Sequence, residues 1–277
     1  MRQVFIIKAD GDREPFSDVK LRESLVRAGA PRDVVEKIVK HIAGEVEDGM
    51  TTSHIYQHAF GLLHKFERPI AARYSLRRAM VGFGPSGFPF EKFLTELFKK
   101  KGFEALTGQI VRGTCVEHEM DVVAWNDTKL IMVEAKFHNE LGAKSDLKVA
   151  LYVKARFDDL LNESFFYGKR RPLDEGWLIT NTKFSTNAIR YGICSNLKMI
   201  GWNYPEKGNL QDLIEDAGLH PLTCLTSLSN NEKQFLLNKG LVLCTAVKEP
   251  GVLESVGLRR DKINNVLEEA KLLCDIG

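Results

Sequence analysis

Asp121 is followed thirteen residues later by Glu134-Ala135-Lys136, two carboxylates and an amine separated by apolar, strand-like sequence. If Asn126-Asp127 forms a two-residue hairpin turn, Trp125 faces Thr128, Asp121 faces Met132 and Glu119 faces Glu134. Alternation then puts Asp121 on one face with Glu134 and Lys136, with Cβ atoms about 5–8 Å apart. Acids set among Val122, Val123, Leu130, Ile131 and Val133 are costly to bury unless a cation pairs with them. Oxygen ligands of this kind suit Mg2+ or Mn2+, which keep waters and bridge to phosphate oxygens, while the lysine can orient or deprotonate a water. The chemistry this predicts is phosphodiester hydrolysis. Spacing alone leaves a second reading open, a solvated face with an ordinary Glu134–Lys136 or Glu119–Lys136 ion pair.

The elements that must position these residues follow from periodicity. Phe90, Phe93, Leu94, Leu97 and Phe98 fall on one helical face with Glu91 beside it. Strand-like alternation then covers Ala105 to Val111, Glu119 to Trp125 and Lys129 to Lys136, and Asp146 to Leu161 reads as a long amphipathic helix. Trp177 to Thr180, a helix from Ser185 to Ser195 and a strand Lys198 to Trp202 make a β-α-β unit, which implies parallel pairing in a mixed sheet. Upstream, Gln3 to Lys8 and Glu14 to Phe16 flank the turn Ala9-Asp10-Gly11-Asp12 as a hairpin. Helices follow: one capped by Ser17 or Asp18, one over Val34 to Val46, one capped by Thr52 or Ser53 and ending near Phe66, and a fourth over Ile70 to Val81. The Gly- and Pro-rich stretch Gly82 to Pro89 marks a boundary. It spells G-x-G-x-x-G, but it follows a helical pattern and lacks the preceding strand that a dinucleotide site needs. The expected organisation is 1–85, 86–222 and a small all-helical 223–277. The fold class is α/β, α+β overall.

The stretches Gly87 to Leu94, Lys101-Gly102-Phe103-Glu104, His118-Glu119-Met120-Asp121-Val122-Val123 and Val133-Glu134-Ala135-Lys136-Phe137 together resemble the PD-(D/E)xK nuclease core. They are most similar to the Mrr-type restriction endonucleases and archaeal Holliday-junction resolvases, and Leu178-Ile179-Thr180-Asn181 with Phe184-Ser185 and Ala188 is similar to that core's later strand and helix. The resemblance implies a restriction-endonuclease-like mixed sheet flanked by helices, an accessory acid at Glu91, metal-binding Asp121 and Glu134 with the Ala135 carbonyl, and catalytic Lys136. His118 and Glu119 stand where a more glycine-rich approach to the aspartate is expected, so either could be an extra ligand or a helper base.

Ile7 to Phe16, then Lys20 and Ser24-Leu25, Gly49 to Ile55 and Ala71-Ala72-Arg73-Tyr74 resemble, in order, the motifs of the ATP-cone, over about residues 3–81. That resemblance implies regulatory binding of ATP or dATP, with Lys8 and Lys20 near phosphates and Glu14 and Thr52 as further contacts. Lysines on a small hairpin and a helix amino terminus at Thr52 are compatible with a triphosphate, and Arg77 or Arg78 could reach one. The chain has no G-x-x-x-x-G-K-[ST], so the nucleotide is expected to be sensed and not hydrolysed by a motor. His54 and His58 are four apart on a helix, a spacing that can hold zinc, but Ile55 removes the H-E-x-x-H hydrolase reading and the pair reads as ordinary surface or partly buried histidines.

Leu253 to Ile263, with Val266 and Ala270, resembles the second half of a helix-hairpin-helix, whose apolar-Gly-apolar turn at Gly257 would offer N–H groups to a DNA phosphate; a helical interaction or dimer module is the alternative. Lys99-Lys100-Lys101 and Lys169-Arg170-Arg171 are basic clusters that could track phosphates. A net charge of +2 with 44% hydrophobic and 27% charged residues excludes a polybasic tail and a disordered acidic chain. No run approaches a membrane span or a secretion signal, which leads to an expectation of a cytoplasmic protein with no membrane partner. Five dispersed cysteines without a C-x-x-C pair are expected as reduced, buried thiols.

Taken together these readings predict a nucleotide-regulated, Mg2+-dependent DNA endonuclease acting in restriction, defence or repair. ATP or dATP would favour one arrangement of cone and nuclease through the contacts of a homo-oligomer, a dimer or higher. The alternatives are a nucleotide-responsive DNA-binding regulator with an inactive core, and a junction-specific resolvase.

Overall fold

The first apolar run is cut by a glycine-containing turn, so the chain opens on a hairpin. The computed structural model describes residues 4–248 and 250–274; Gln3, the expected first strand residue, lies outside them. Strands β1 (Phe5–Ile7) and β2 (Arg13–Pro15) pair antiparallel. Gly11 turns between them at φ 86°, a left-handed value that favours a residue without Cβ. Ser17 caps α1 (Asp18–Arg27) by accepting the Lys20 N–H. Next come α2 (Arg32–Glu45) and α3 (Thr52–Phe66). The cap of α3 is Thr51, one residue earlier than expected, and its hydroxyl oxygen accepts the His54 N–H. Apolar rows from these helices, including Leu25, Ile38, Ile42, Ala59 and Leu63, close a core beneath Ile6.

The helix expected over 70–81 is divided into α4 (Arg68–Tyr74) and α5 (Leu76–Val81). The Ser75 hydroxyl donates to the Ala72 carbonyl at 2.7 Å, offering the backbone a local alternative to the continuing helical ladder.

Helix α6 (Phe88–Lys100) buries Phe90, Phe93, Leu94 and Leu97, the face predicted from their spacing, and packs on β3 (Glu104–Arg112) and β4 (Glu117–Trp125). β5 (Leu130–Lys136) completes an antiparallel meander. There follow β6 (Lys144–Ser145), α7 (Leu147–Leu160) capped by Asp146, and the hairpin of β7 (Ser164–Tyr167) and β8 (Lys169–Pro172). β9 (Glu175–Thr180) pairs parallel with β5, and β10 (Lys183–Phe184) with β6. Then α8 (Thr186–Cys194), capped by Ser185, leads to β11 (Lys198–Ile200), parallel to β9, and on to α9 (Leu210–Asp216). The main sheet is therefore mixed, in the order β11-β9-β5-β4-β3, and it contains the expected parallel β-α-β unit. The protein is α+β.

One face of this sheet, with Val123, Trp125, Leu130, Met132 and Leu178, packs on Ala150, Val153, Phe157 and Leu160 of α7. Gly176 lies opposite Met132, and a Cβ there would sit 2.5 Å from the Phe157 ring. Gly176→Ala is therefore expected to destabilise the fold by about 1–3 kcal/mol through overpacking, read as a lowered unfolding midpoint that Phe157→Leu in the same chain partly restores.

The carboxy-terminal segment is helical, as expected: α10 (Asn230–Asn238), α11 (Pro250–Glu254) and α12 (Arg260–Cys274), with short 3-10 turns at Leu222–Cys224 and Cys244–Val247. Two compact units divide the chain: Met1–Ala79 with His220–Lys233 and Cys244–Gly277, and Met80–Leu219 with Gln234–Leu243. Much of the segment thus shares a unit with the amino-terminal hairpin and helices. The Thr223 hydroxyl donates to the Ala79 carbonyl at 2.7 Å, and α12 packs on α4. A short helical segment encloses little apolar volume by itself, and sharing a core removes that deficit. Buried Glu269 accepts N–H bonds from Thr226 and Ser227.

The cysteines differ from expectation. Cys244 and Cys274 form a disulfide, Cys115 and Cys194 are exposed, and Cys224 is a buried thiol. Among the described residues no helix is long and apolar enough to cross a membrane.

Candidate active site

The β4–β5 connection sets the geometry of the acids. Trp125 pairs with Leu130, not with Thr128, because the turn spans 126–129 instead of two residues. Asn126 causes the longer turn: its side-chain oxygen accepts the N–H groups of Thr128 and Lys129, both at 2.9 Å, in a local turn that competes with the tight hairpin. The register slips by two, and since side chains alternate with period two every residue keeps its face. Val122 pairs with Val133, so Asp121 and Glu134 are the next residues in line, directly side by side. The ladder ends there. The Ala135 N–H turns to the Asp121 carboxylate, which accepts it at 2.6 Å. At this edge the structure shows the N–H of Ala135 engaged with an acid, while its carbonyl was the group expected to serve the site.

Around this pair stand four more charged groups. Arg156, from α7, donates to Glu134 Oε2 at 2.7 Å and also to the Glu119 carbonyl oxygen. Glu91, in the first turn of α6, lies close enough that the charges of Asp121 and Glu119 act on it. Lys136 ends β5 exposed, in register with Thr180 of β9. The backbone just beyond it is pinned: the His138 N–H donates to Asn181 Oδ1 at 2.8 Å, and the Asn181 amide donates back to the His138 carbonyl at 2.7 Å. Asn181, Thr180 and Ser145 are fully buried, so the strand end carrying Lys136 has a rigid polar backing.

The electrostatics are those of a site with surplus negative charge. Burial, then Asp121 and Glu119, push the Glu91 carboxyl up to about 7. Burial and Asp121 push Glu134 up to about 8, with Glu91 and Glu119 adding to the rise and Arg156 opposing it. Burial also raises Asp121, against the Ala135 N–H, Arg156 and Lys136. Glu134 is only 7% exposed, and its Oε1 is buried with no hydrogen-bond partner. A buried carboxylate oxygen without a donor, among three other acids, has the chemistry of a cation ligand. The donor set fits Mg2+ or Mn2+, with Asp121 and Glu134 as the residues that would hold it and Glu91 beside them.

Two readings of the neighbouring residues separate here. Glu119 joins the cluster through its charge. His118 is engaged elsewhere: its Nε2 lies 2.8 Å from Asp159, which also accepts the Cys115 and Val116 N–H groups and so braces the β3–β4 turn. Arg156 was not found from the sequence. The available signal was its place three residues after Val153 and one before Phe157, at the margin of the apolar face of α7.

The amino-terminal cluster is also brought together. Glu14 Oε2 accepts from Lys20 Nζ at 3.1 Å and lies 4.0 Å from Lys8 Nζ. Ile7 bridges Thr51, which sets the amino terminus of α3 and Thr52 next to the strand leading to Lys8. Arg78 donates to Ser53 and lies 4.0 Å over the Tyr56 ring, which stacks on Tyr74. His58 turns to Glu45 of α2 at 3.2 Å, a contact between helices that the His54–His58 spacing did not indicate.

The remaining basic groups are partly committed to the fold. Arg171 is buried and donates, with Lys169, to carbonyls of the 126–129 turn, leaving Arg170 exposed. Gly257, at φ 76°, lies in the turn between α11 and α12, and Lys262 is paired with Glu232 at 2.8 Å.

Comparison with known proteins places this architecture among relatives. The family described as AF1548-like, C-terminal, matches residues 220–274. A protein of Archaeoglobus fulgidus, described as uncharacterized, is 39% identical over 180 residues, 64% of this chain and 98% of its own length. A solved structure, described as that of a protein of unknown function, AF1548, is similar at a TM-score of 0.55 and 36% identity, covering 69% of this chain and 100% of its own. Both likenesses run through essentially the whole of the relative, beyond any one motif. The chain belongs to the AF1548-like family.

Proposed function

We propose that this protein is a nucleotide-regulated, Mg2+-dependent DNA endonuclease. The observation that carries the reading is the side-by-side placement of Asp121 and Glu134 at the end of the β4–β5 ladder, with an unpartnered buried oxygen on Glu134. Lys136 shares their face by strand alternation. A divalent ion held there would supply Lewis-acid polarisation of a phosphate and a more acidic water. Asp121 is oriented by the Ala135 N–H, and Glu134 is held in place by Arg156. Lys136 directs a water toward phosphorus and steadies the charge that develops on the phosphate oxygens. Glu91, whose carboxyl is pushed up to about 7 in the metal-free site by burial and by Asp121 and Glu119, is the accessory acid that would support the ion's waters.

The regulatory half of the proposal rests on Lys8, Glu14 and Lys20. Glu14 bridges both lysines, and a triphosphate would take over those donors. Each charge-assisted bond contributes roughly 1.5–3 kcal/mol, so Lys20→Ala is expected to weaken ATP and dATP binding by about tenfold or more in equilibrium titration, without ATP hydrolysis in either chain.

The test of the whole reading is nicking and linearisation of supercoiled plasmid with Mg2+, with no nucleotide, ATP or dATP. A cutting rate that needs Mg2+ and changes with nucleotide supports both sites. Cutting confined to branched junctions would make the substrate a junction. DNA binding without cutting of plasmid, modified DNA or junctions would replace the proposal with a nucleotide-responsive DNA-binding regulator.

A further inference from the structure

We infer that His41, Glu45 and His58 form a second metal site, for a borderline transition-metal ion of the Zn2+ class, independent of the carboxylate cluster. Among the described residues these are the one group of three His, Cys, Asp or Glu side chains whose ligand atoms all lie within 4.8 Å of one another. His41 and Glu45 are one turn apart on α2 and therefore share a face, and His58 reaches them from α3. His41 Nε2 lies 3.4 Å from Glu45 Oε1, and His58 Nδ1 lies 3.2 Å from Glu45 Oε2. A tetrahedral ion with bonds of about 2.0–2.1 Å separates its ligand atoms by about 3.3 Å. The two imidazoles approach opposite oxygens of the same carboxylate, each at about that separation. The imidazole rings meet edge to face with centroids 5.0 Å apart, so both histidines stand at the same carboxylate.

The ligand chemistry selects the ion. Two imidazole nitrogens and one carboxylate oxygen suit Zn2+, Co2+, Ni2+ or Cu2+, whereas Mg2+ prefers an all-oxygen shell such as Asp121 and Glu134 provide. The three side chains are one third to one half exposed, so the ion has an open path and water can complete its coordination. Such an ion would staple α2 to α3. Since α3 begins at the Thr51 bridge to β1, the staple would also hold the strand that leads to Lys8.

The test uses the full-length protein stripped with a chelator and carrying Cys115→Ser and Cys194→Ser, so that exposed thiols do not compete, in saturating Mg2+ to occupy the carboxylate cluster. Co2+ is titrated by its visible absorption, and Zn2+ by competition with a chromophoric chelator and by its effect on the unfolding midpoint. One ion per chain is expected, with a Co2+ spectrum free of thiolate charge transfer and a Zn2+-dependent rise in the midpoint. His41→Ala, Glu45→Gln and His58→Ala should each abolish saturable uptake and the rise. Parental uptake in these variants, or no uptake by the parent, overturns the assignment. Glu45→Gln, isosteric and half-exposed, carries the test if a histidine variant fails to fold. The site depends on neither DNA cleavage nor nucleotide binding, so its outcome is separable from theirs.

Discussion

Lys136→Ala is expected to lower the single-turnover rate of plasmid cleavage by about 10²–10⁴-fold, the range lost when a positioned proton-transfer group is removed. Affinity for DNA should change little. The side chain stands exposed at the end of β5, so its removal takes no packing from the core, and stability should stay within about 0.5 kcal/mol of the parent. Its charge reaches the site: it opposes the rise of the Asp121 carboxyl and helps depress His138. Lys136→Arg keeps that charge but replaces a compact ammonium by a fork that cannot be deprotonated, so a variant that binds DNA and still cuts poorly would assign Lys136 to water activation. Recovery of most of the rate by arginine would assign it to charge stabilisation alone. Cutting by Lys136→Ala at the parental rate would remove Lys136, and with it this carboxylate cluster, as the site of cleavage.

Much of the architecture follows from local pattern. Three antiparallel strands, the parallel β-α-β unit and most helices lie where periodicity and capping residues put them, because each segment's apolar repeat matches the face it buries. What the pattern missed has particular causes. Asn126 lengthened a turn through a side-chain hydrogen bond that competes with the tight hairpin, and the error stayed harmless because a two-residue slip preserves faces. The break at Ser75 comes from one hydroxyl within a run otherwise compatible with a continuous helix. The company kept by the carboxy-terminal segment rests on contacts such as Thr223 to Ala79, separated by 144 residues, which no local repeat encodes. The acids at 121 and 134 were legible because one hairpin carries both. Arg156 was not, because the helix that brings it begins after the strand has ended, and periodicity shows which residues border the apolar face but not which acid they will meet.

Arg156→Ala should destabilise the metal-free protein by about 3–5 kcal/mol at high pH, the cost of leaving a buried charge without its partner. The effect should fade toward pH 5, and the sign follows from the acids of the site. Glu134 ionises near 8 in the fold, against a usual carboxylate value of 4.5. Between those values the folded chain holds a proton that the unfolded chain has lost, so this group's contribution to stability is fully present below about pH 4.5 and is lost as pH rises through about 8. Glu91 acts in the same direction up to about 7. Arg156 opposes the trend by favouring the ionised Glu134. Without it the carboxyl rises further and the descent with pH steepens, so the gap between parent and variant widens from pH 5 to pH 9. Millimolar Mg2+ should narrow that gap, because an ion bound only to the folded site stabilises by mass action and supplies the missing positive charge. Unfolding midpoints of both chains at pH 5, 7 and 9, with and without Mg2+, test this directly. A gap that is the same at all three pH values would mean that Arg156 stabilises by packing, through its contact with Tyr152, and that Glu134 is not the buried acid the geometry makes it. A widening gap that Mg2+ closes would identify the same two oxygens of Glu134 as the point where fold stability and ion binding meet, one held by the arginine and the other left for the metal.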